Sequence, residues 1–113
     1  MSLLSNNVYN DTKDYFSKYE NVKLIKGILP DTFKKIRVDK ISYLSLDLNV
    51  PNVELKILEI LWKKIVSGGI VLLDDFTHSF KYVKTYEIFS SFAQKNDFEI
   101  LELPTGQGII FKR

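Results

Sequence analysis

Two short apolar runs, Ile41–Leu46 (ISYLSL) and Ile70–Leu73 (IVLL), each ended by carboxylates, constrain this chain more than any other feature. Both have strand length, and such runs belong to sheets that are buried rather than left in water. Asp47 closes the first run, and Asp74-Asp75 close the second. Between them, residues 53–66 predict an amphipathic helix. Ile57, Leu58, Leu61 and Ile65 share one face, while Lys56, Glu59 and Lys63 share the opposite one. Asn52 stands ahead of this helix as its cap, Pro51 sits where a missing N–H does no harm, and Gly68-Gly69 is the expected stop. Strand, helix, strand in this order implies a parallel pair joined by a right-handed crossover.

The remaining segments extend the alternation. Asp11 predicts the cap of a short helix over Thr12–Tyr19, with Asp14 in the capping-box position. Val22–Lys26 alternates apolar and polar residues and predicts a strand, with Gly27–Asp31 as its exit loop. Lys34–Lys40 is polar and predicts no more than a turn or short helix. A second amphipathic helix runs from Phe80 to Lys95, with Tyr82, Tyr86, Phe89 and Ala93 on one stripe. Phe98–Leu103 and Gly108–Phe111 flank the turn residues Pro104–Gly106 and predict an antiparallel hairpin. The fold class is α/β: a parallel sheet covered on both faces, with an antiparallel element at one end.

The bulk numbers exclude several functions. The chain has 113 residues, enough for a single domain with one core and little margin. Sixteen basic and fourteen acidic residues leave a net charge of +2, and the lysines form no block. A nucleic-acid reader would gather them on one face. The absence of cysteine removes disulfides, thiolate zinc sites and cysteine nucleophiles, and agrees with an intracellular protein. No apolar run approaches the roughly 20 residues that span a bilayer. Met1–Ser5 lacks the regions of a signal peptide, so a cytoplasmic location and no membrane partner are expected. Trp62 and most tyrosines and phenylalanines fall at core positions.

Ligands of open α/β sheets bind beyond the carboxyl ends of the strands. If the two apolar strands are neighbours, Asp47, Asp74 and Asp75 converge there. Converging carboxylates raise one another's pKa unless a cation lies between them, and a hard ion such as Mg²⁺ suits all-oxygen ligands. Asn49 could add a fourth oxygen. Capping of loops is the competing explanation for aspartates in such places. His78, the only histidine, lies three residues beyond Asp75 and borders the same rim, as a candidate proton acceptor or an incidental surface group. The loop Gly27-Ile28-Leu29 could pack on a flat ligand. GILPDT and GGIVLL lack the spacing and strand-to-helix context of a phosphate-binding loop.

Taken together, NVKLIKGILPDTF, ISYLSLDLN, a helix ending in SGG, and GIVLLDDF resemble the macrocin O-methyltransferase family of class I methyltransferases. The resemblance covers Val22 to Phe76. It implies a partial class I, Rossmann-like sheet whose first strands and Gly-rich loop have no counterpart here. It also implies that Asp47, Asp74 and Asp75 hold a divalent metal such as Mg²⁺; in a complete enzyme of that kind Asp47 would take part in catalysis through the ion, and His78, read from its place by the same rim, would relay the proton. Gly27, Ile28 and Leu29 match the loop that lies near the adenine of S-adenosylmethionine in such folds. Three positions depart from the family pattern: Asn49 replaces the second Asp of a DxD-Tyr segment, Pro51 replaces its Tyr, and Phe76 replaces the Tyr of Asp-Asp-Tyr.

The function so implied is that of a fragment of a metal-dependent O-methyltransferase for a small-molecule hydroxyl, truncated and inactive as an isolated chain. The alternative is a non-catalytic α/β domain that keeps the scaffold and acts by association. Phosphoryl transfer through Asp47 would need a second carboxylate where Asn49 stands. A sheet without its first strands leaves Ile41–Leu46 as an apolar edge. Either Val22–Lys26 covers that edge, or a second copy of the chain does so in a homo-oligomer.

Overall fold

The computed structural model describes residues 3–29, 31–48, 50–77 and 83–113. They form two compact units, Met1–Arg37 and Val38–Arg113. In the first, α1 (Leu3–Phe16) starts well ahead of the expected Thr12 and ends before Tyr19. Asp11 therefore lies inside the helix and does not cap it. A 3₁₀ turn covers Asp31–Lys35. Val22–Lys26 is not a strand. Its alternation has no partner ladder to complete it, and Val22 and Leu24 stay exposed. An alternating pattern supplies a face, but only a neighbouring strand supplies the hydrogen bonds.

The second unit holds the sheet. Strand β1 (Ile41–Leu46) leads to α2 (Pro51–Leu61), a short 3₁₀ turn over Trp62–Lys64, and β2 (Ile65–Leu73). After α3 (Val83–Lys95) come β3 (Leu101–Glu102) and β4 (Gly108–Phe111). The strand order is β1-β2-β4-β3: β1 runs parallel to β2, while β4 is antiparallel to both β2 and β3. This is a mixed α/β sheet with the expected parallel pair and the expected terminal hairpin.

Helix α2 is shorter than its apolar periodicity implied. Extended Val50 precedes it without a side-chain cap, and Pro51 occupies the first turn, where its fixed φ suits a helix start. Asn52 is thus a helical residue and not the cap. Ile65, read from the sequence as the last residue of the helical face, is the buried first residue of β2. Gly68-Gly69 do not stop a helix; they lie within β2. Ile41 pairs with Ile65 and Tyr43 with Ile70, so residues 66–69 bulge out of the ladder. Gly68 takes φ +85°, where glycine is favoured. Its N–H donates to the Lys112 carbonyl (2.6 Å), and the Lys112 N–H donates to the Gly69 carbonyl (2.9 Å).

Registered neighbours across the sheet show which face is packed. Leu46, Val71, Leu73 and Ile110 are buried together with Leu58, Leu61, Phe89 and Ala93 of the helices. The alternate residues Tyr43, Leu101 and Phe111 are exposed. Within Val38–Arg113, α2 and α3 pack against each other, and their buried residues accompany the buried face of the sheet. Strand β3 is also shorter than Phe98–Leu103. Asp97 at φ +56° ends α3 and lets the Phe98 N–H reach the Ala93 carbonyl at 3.1 Å. Phe98 then stacks on Trp62 at 4.6 Å and meets Phe92 edge-on. A residue committed to a helix end in this way is unavailable to a ladder. Tyr82 of the expected helical stripe lies outside the described residues.

Candidate functional site

The rim at the carboxyl ends of β1 and β2 is set by their register. Leu46 lies opposite Leu73, and the Asp74 N–H donates to the Leu46 carbonyl at 3.1 Å. The next residues, Asp47 on one strand and Asp74-Asp75 on the other, therefore emerge side by side. Carboxylate oxygens of all three lie within 4.8 Å of one another. Two oxygens on one octahedral Mg²⁺ at about 2.1 Å stand about 3.0 Å apart in adjacent positions and about 4.2 Å in opposite ones, so direct sharing of an ion by all three needs their side chains to close by roughly 1 to 2 Å. Asp47 is exposed, and Asp74 and Asp75 are half-buried.

Electrostatics follow from that proximity. The Asp47 carboxyl is held above its usual value by the charge of Asp74 first, then by a hydrogen bond with Asp74, by desolvation and by the charge of Asp75. Such repulsion among acceptor-only oxygens is relieved by a cation between them. The donor set is all oxygen, and it fits a hard divalent ion better than a soft one.

Two residues that the sequence did not single out support this rim. Glu54, in the first turn of α2, is buried, and its Oε1 accepts the Leu48 N–H at 2.8 Å. That bond ties the loop leaving Asp47 back to the helix start. A signal for it existed: Glu54 lies three and four residues before Ile57 and Leu58, which puts a carboxylate on the buried stripe. The second is Gln107, whose Nε2 donates to Asp74 Oδ1 at 2.9 Å. Nothing in its local sequence marks it. Behind the rim, Phe76 is buried and tilts against Tyr86 at 5.1 Å between ring centres. Gly108 leaves the space for it: a Cβ added there would lie 2.9 Å from the Phe76 ring.

His78 and Asn49 lie outside the described residues. In the first unit, Gly27 takes φ +152°, and an added Cβ would stand 1.7 Å from Thr32 Cγ2. Local packing thus already requires a glycine at that position. Ile28 beside it is 74% exposed and Leu29 is half-buried. Elsewhere, a cleft of about 370 Å³ between α2 and α3 includes Leu55, Glu59, Glu87 and Lys95, and shares no residue with the acidic rim.

A mixed α/β sheet with three carboxylates gathered at the end of its parallel pair, and an antiparallel hairpin beside it, is consistent with part of a methyltransferase-like domain. The family model described as Macrocin-O-methyltransferase (TylF) matches residues 2–100, and the chain belongs to that family. The match extends well beyond Val22–Phe76 on both sides. Family membership relates the chain to O-methyltransferases and implies the use of S-adenosylmethionine. No curated protein matches the chain. Among the described residues, no helix is long and apolar enough to cross a membrane.

Proposed function

We propose that the chain carries the metal-holding rim of an S-adenosylmethionine-dependent O-methyltransferase that acts on a small-molecule hydroxyl, built on a Rossmann-like sheet. The observation that carries this reading is the gathering of Asp47, Asp74 and Asp75 within 4.8 Å in a chain of this family. A divalent cation held there would act as a Lewis acid and template toward the acceptor hydroxyl. The three carboxylates would hold and orient that ion, and Glu54 and Gln107 hold the loop and side chain on which two of them depend. When bound, S-adenosylmethionine supplies an electrophilic methyl group. Transfer of this kind gains mostly from alignment of the two reactants. His78, three residues past Asp75 in sequence, takes the hydroxyl proton.

The exposed Ile28 and its neighbours Gly27 and Leu29 offer an apolar surface to the adenine. The 113 residues carry no Gly-rich turn for the methionine and ribose ends. As an isolated chain the protein should therefore bind S-adenosylmethionine poorly and transfer no methyl group. A second reading, an association domain on the same scaffold, is favoured by the exposure of Tyr43, Leu101 and Phe111 on one side of the sheet. Both readings accommodate a cytoplasmic homo-oligomer in which a second copy covers β1.

Calorimetric titration with Mg²⁺ or Mn²⁺ separates the two readings. The enzyme reading requires a binding heat for the native sequence that Asp74→Asn removes. Equal heats from both proteins would leave the association reading standing alone.

A further inference from the structure

The hydrogen bonds of Gln107 give the closing hairpin a task at the acidic rim. Gln107 follows the turn between β3 and β4, 33 residues from Asp74. Its Nε2 donates to Asp74 Oδ1 at 2.9 Å, and Thr105 Oγ1 donates to its Oε1 at 3.0 Å. An ionised carboxylate only accepts, so the amide nitrogen must face Asp74 and the amide oxygen is left to accept from Thr105. The turn is itself fastened next to the rim. The Thr77 N–H, two residues past Asp75, donates to the Gly106 carbonyl at 2.7 Å. Within the turn, the Leu103 N–H reaches the Gln107 carbonyl at 2.8 Å and the Gly106 N–H reaches the Leu103 carbonyl at 2.9 Å. Buried Gly106, at φ +88°, allows this path.

We propose that Gln107 is a positioning residue for Asp74, and that the Thr105 hydroxyl in turn holds Gln107. This rests on the cation reading of the rim. The Gln107 amide engages one oxygen of Asp74 and so fixes the plane of the carboxylate, leaving its other oxygen for an ion. Without that bond, repulsion from Asp47 and Asp75 turns the Asp74 carboxylate outward. A neutral donor suits the place, because a lysine or arginine there would compete with the cation it helps to seat. Partners of metal-ligating groups are typically worth about 10–100-fold in metal affinity.

The test is Mn²⁺ binding to the full chain, followed by electron paramagnetic resonance, alongside thermal unfolding of each metal-free protein. Gln107→Met keeps the length of the side chain and removes its donor. It should weaken Mn²⁺ binding about tenfold or more. Thr105→Val should weaken it by a smaller factor, and Asp74→Asn should abolish it. The metal-free unfolding midpoints of Gln107→Met and Thr105→Val should stay near that of the native sequence. A purely structural hairpin gives the opposite pattern, with lowered midpoints and unchanged affinity. Native-like affinity in Gln107→Met overturns the positioning role and leaves the cation reading intact. Failure of the native sequence to bind Mn²⁺ overturns both. If Gln107→Met does not fold, Thr105→Val decides, since it leaves Gln107 in place: unchanged affinity there refutes the relay.

Discussion

The Asp47 carboxyl, raised above 3.8 chiefly by the charge of Asp74, makes the metal-free rim a source of pH-dependent strain. The sign follows from proton linkage. Between 3.8 and the raised folded value, the folded chain binds more protons at Asp47 than the unfolded chain does. Stability therefore falls as pH rises through that window, and the loss is complete above it. Asp47→Asn should match the native sequence in strongly acidic solution and unfold at a higher temperature near neutral pH. Saturating Mg²⁺ should close the gap by stabilising the native sequence alone. Thermal unfolding across pH, with and without the ion, checks both parts, and parallel curves would contradict them. The convergence of the three aspartates was legible in the sequence because Asp47 and Asp74 directly follow apolar strands and Asp75 comes next, so one local rule places them all. Gln107 was not legible, since its role depends on a contact with a residue 33 positions away that exists only once β4 has paired with β2.

Helix α2 separates what periodicity can and cannot reveal. Its apolar stripe was readable, and Ile57, Leu58 and Leu61 are buried as their spacing required, while Lys56 and Glu59 are exposed. Its end was not readable. Ile65 is apolar and buried whether it closes a helix or opens a strand, and the choice is made by pairing with Ile41 and by the bulge that joins Gly68-Gly69 to Lys112. Strand β1 has the bounds expected from sequence because its apolar run and the carboxylate after it are both local signals. Val22–Lys26 has an equally regular alternation and no ladder, which shows that a pattern alone does not make a strand. If the α2 stripe carries the core, Leu61→Ala should cost about 2–5 kcal/mol. Lys56→Ala, on the exposed side, should change stability by no more than about 0.5 kcal/mol. Chemical denaturation of the two variants measures both, and similar losses would show that the face is misassigned.

For the chain as a unit of assembly, the open side of the sheet matters most. Among the described strands β1 has one neighbour, β2, so its other edge carries backbone donors and acceptors without a ladder partner. Tyr43 on that strand is 57% exposed. Edges of this kind are templates for pairing, and a second copy related by a two-fold axis is the simplest cover. Sedimentation equilibrium should then show self-association that strengthens with concentration, and a strict monomer at high concentration would contradict it. The central claim, however, concerns the acidic rim, and it can be located residue by residue. In a nuclear magnetic resonance spectrum of the chain, substoichiometric Mn²⁺ broadens the amide signals closest to the bound ion. The account predicts early loss of the signals of Asp47, Leu48, Asp74, Asp75 and Gln107, while those of the α2–α3 cleft, such as Glu59 and Glu87, persist. Loss centred on other acidic residues, or spread evenly over the surface, would contradict it.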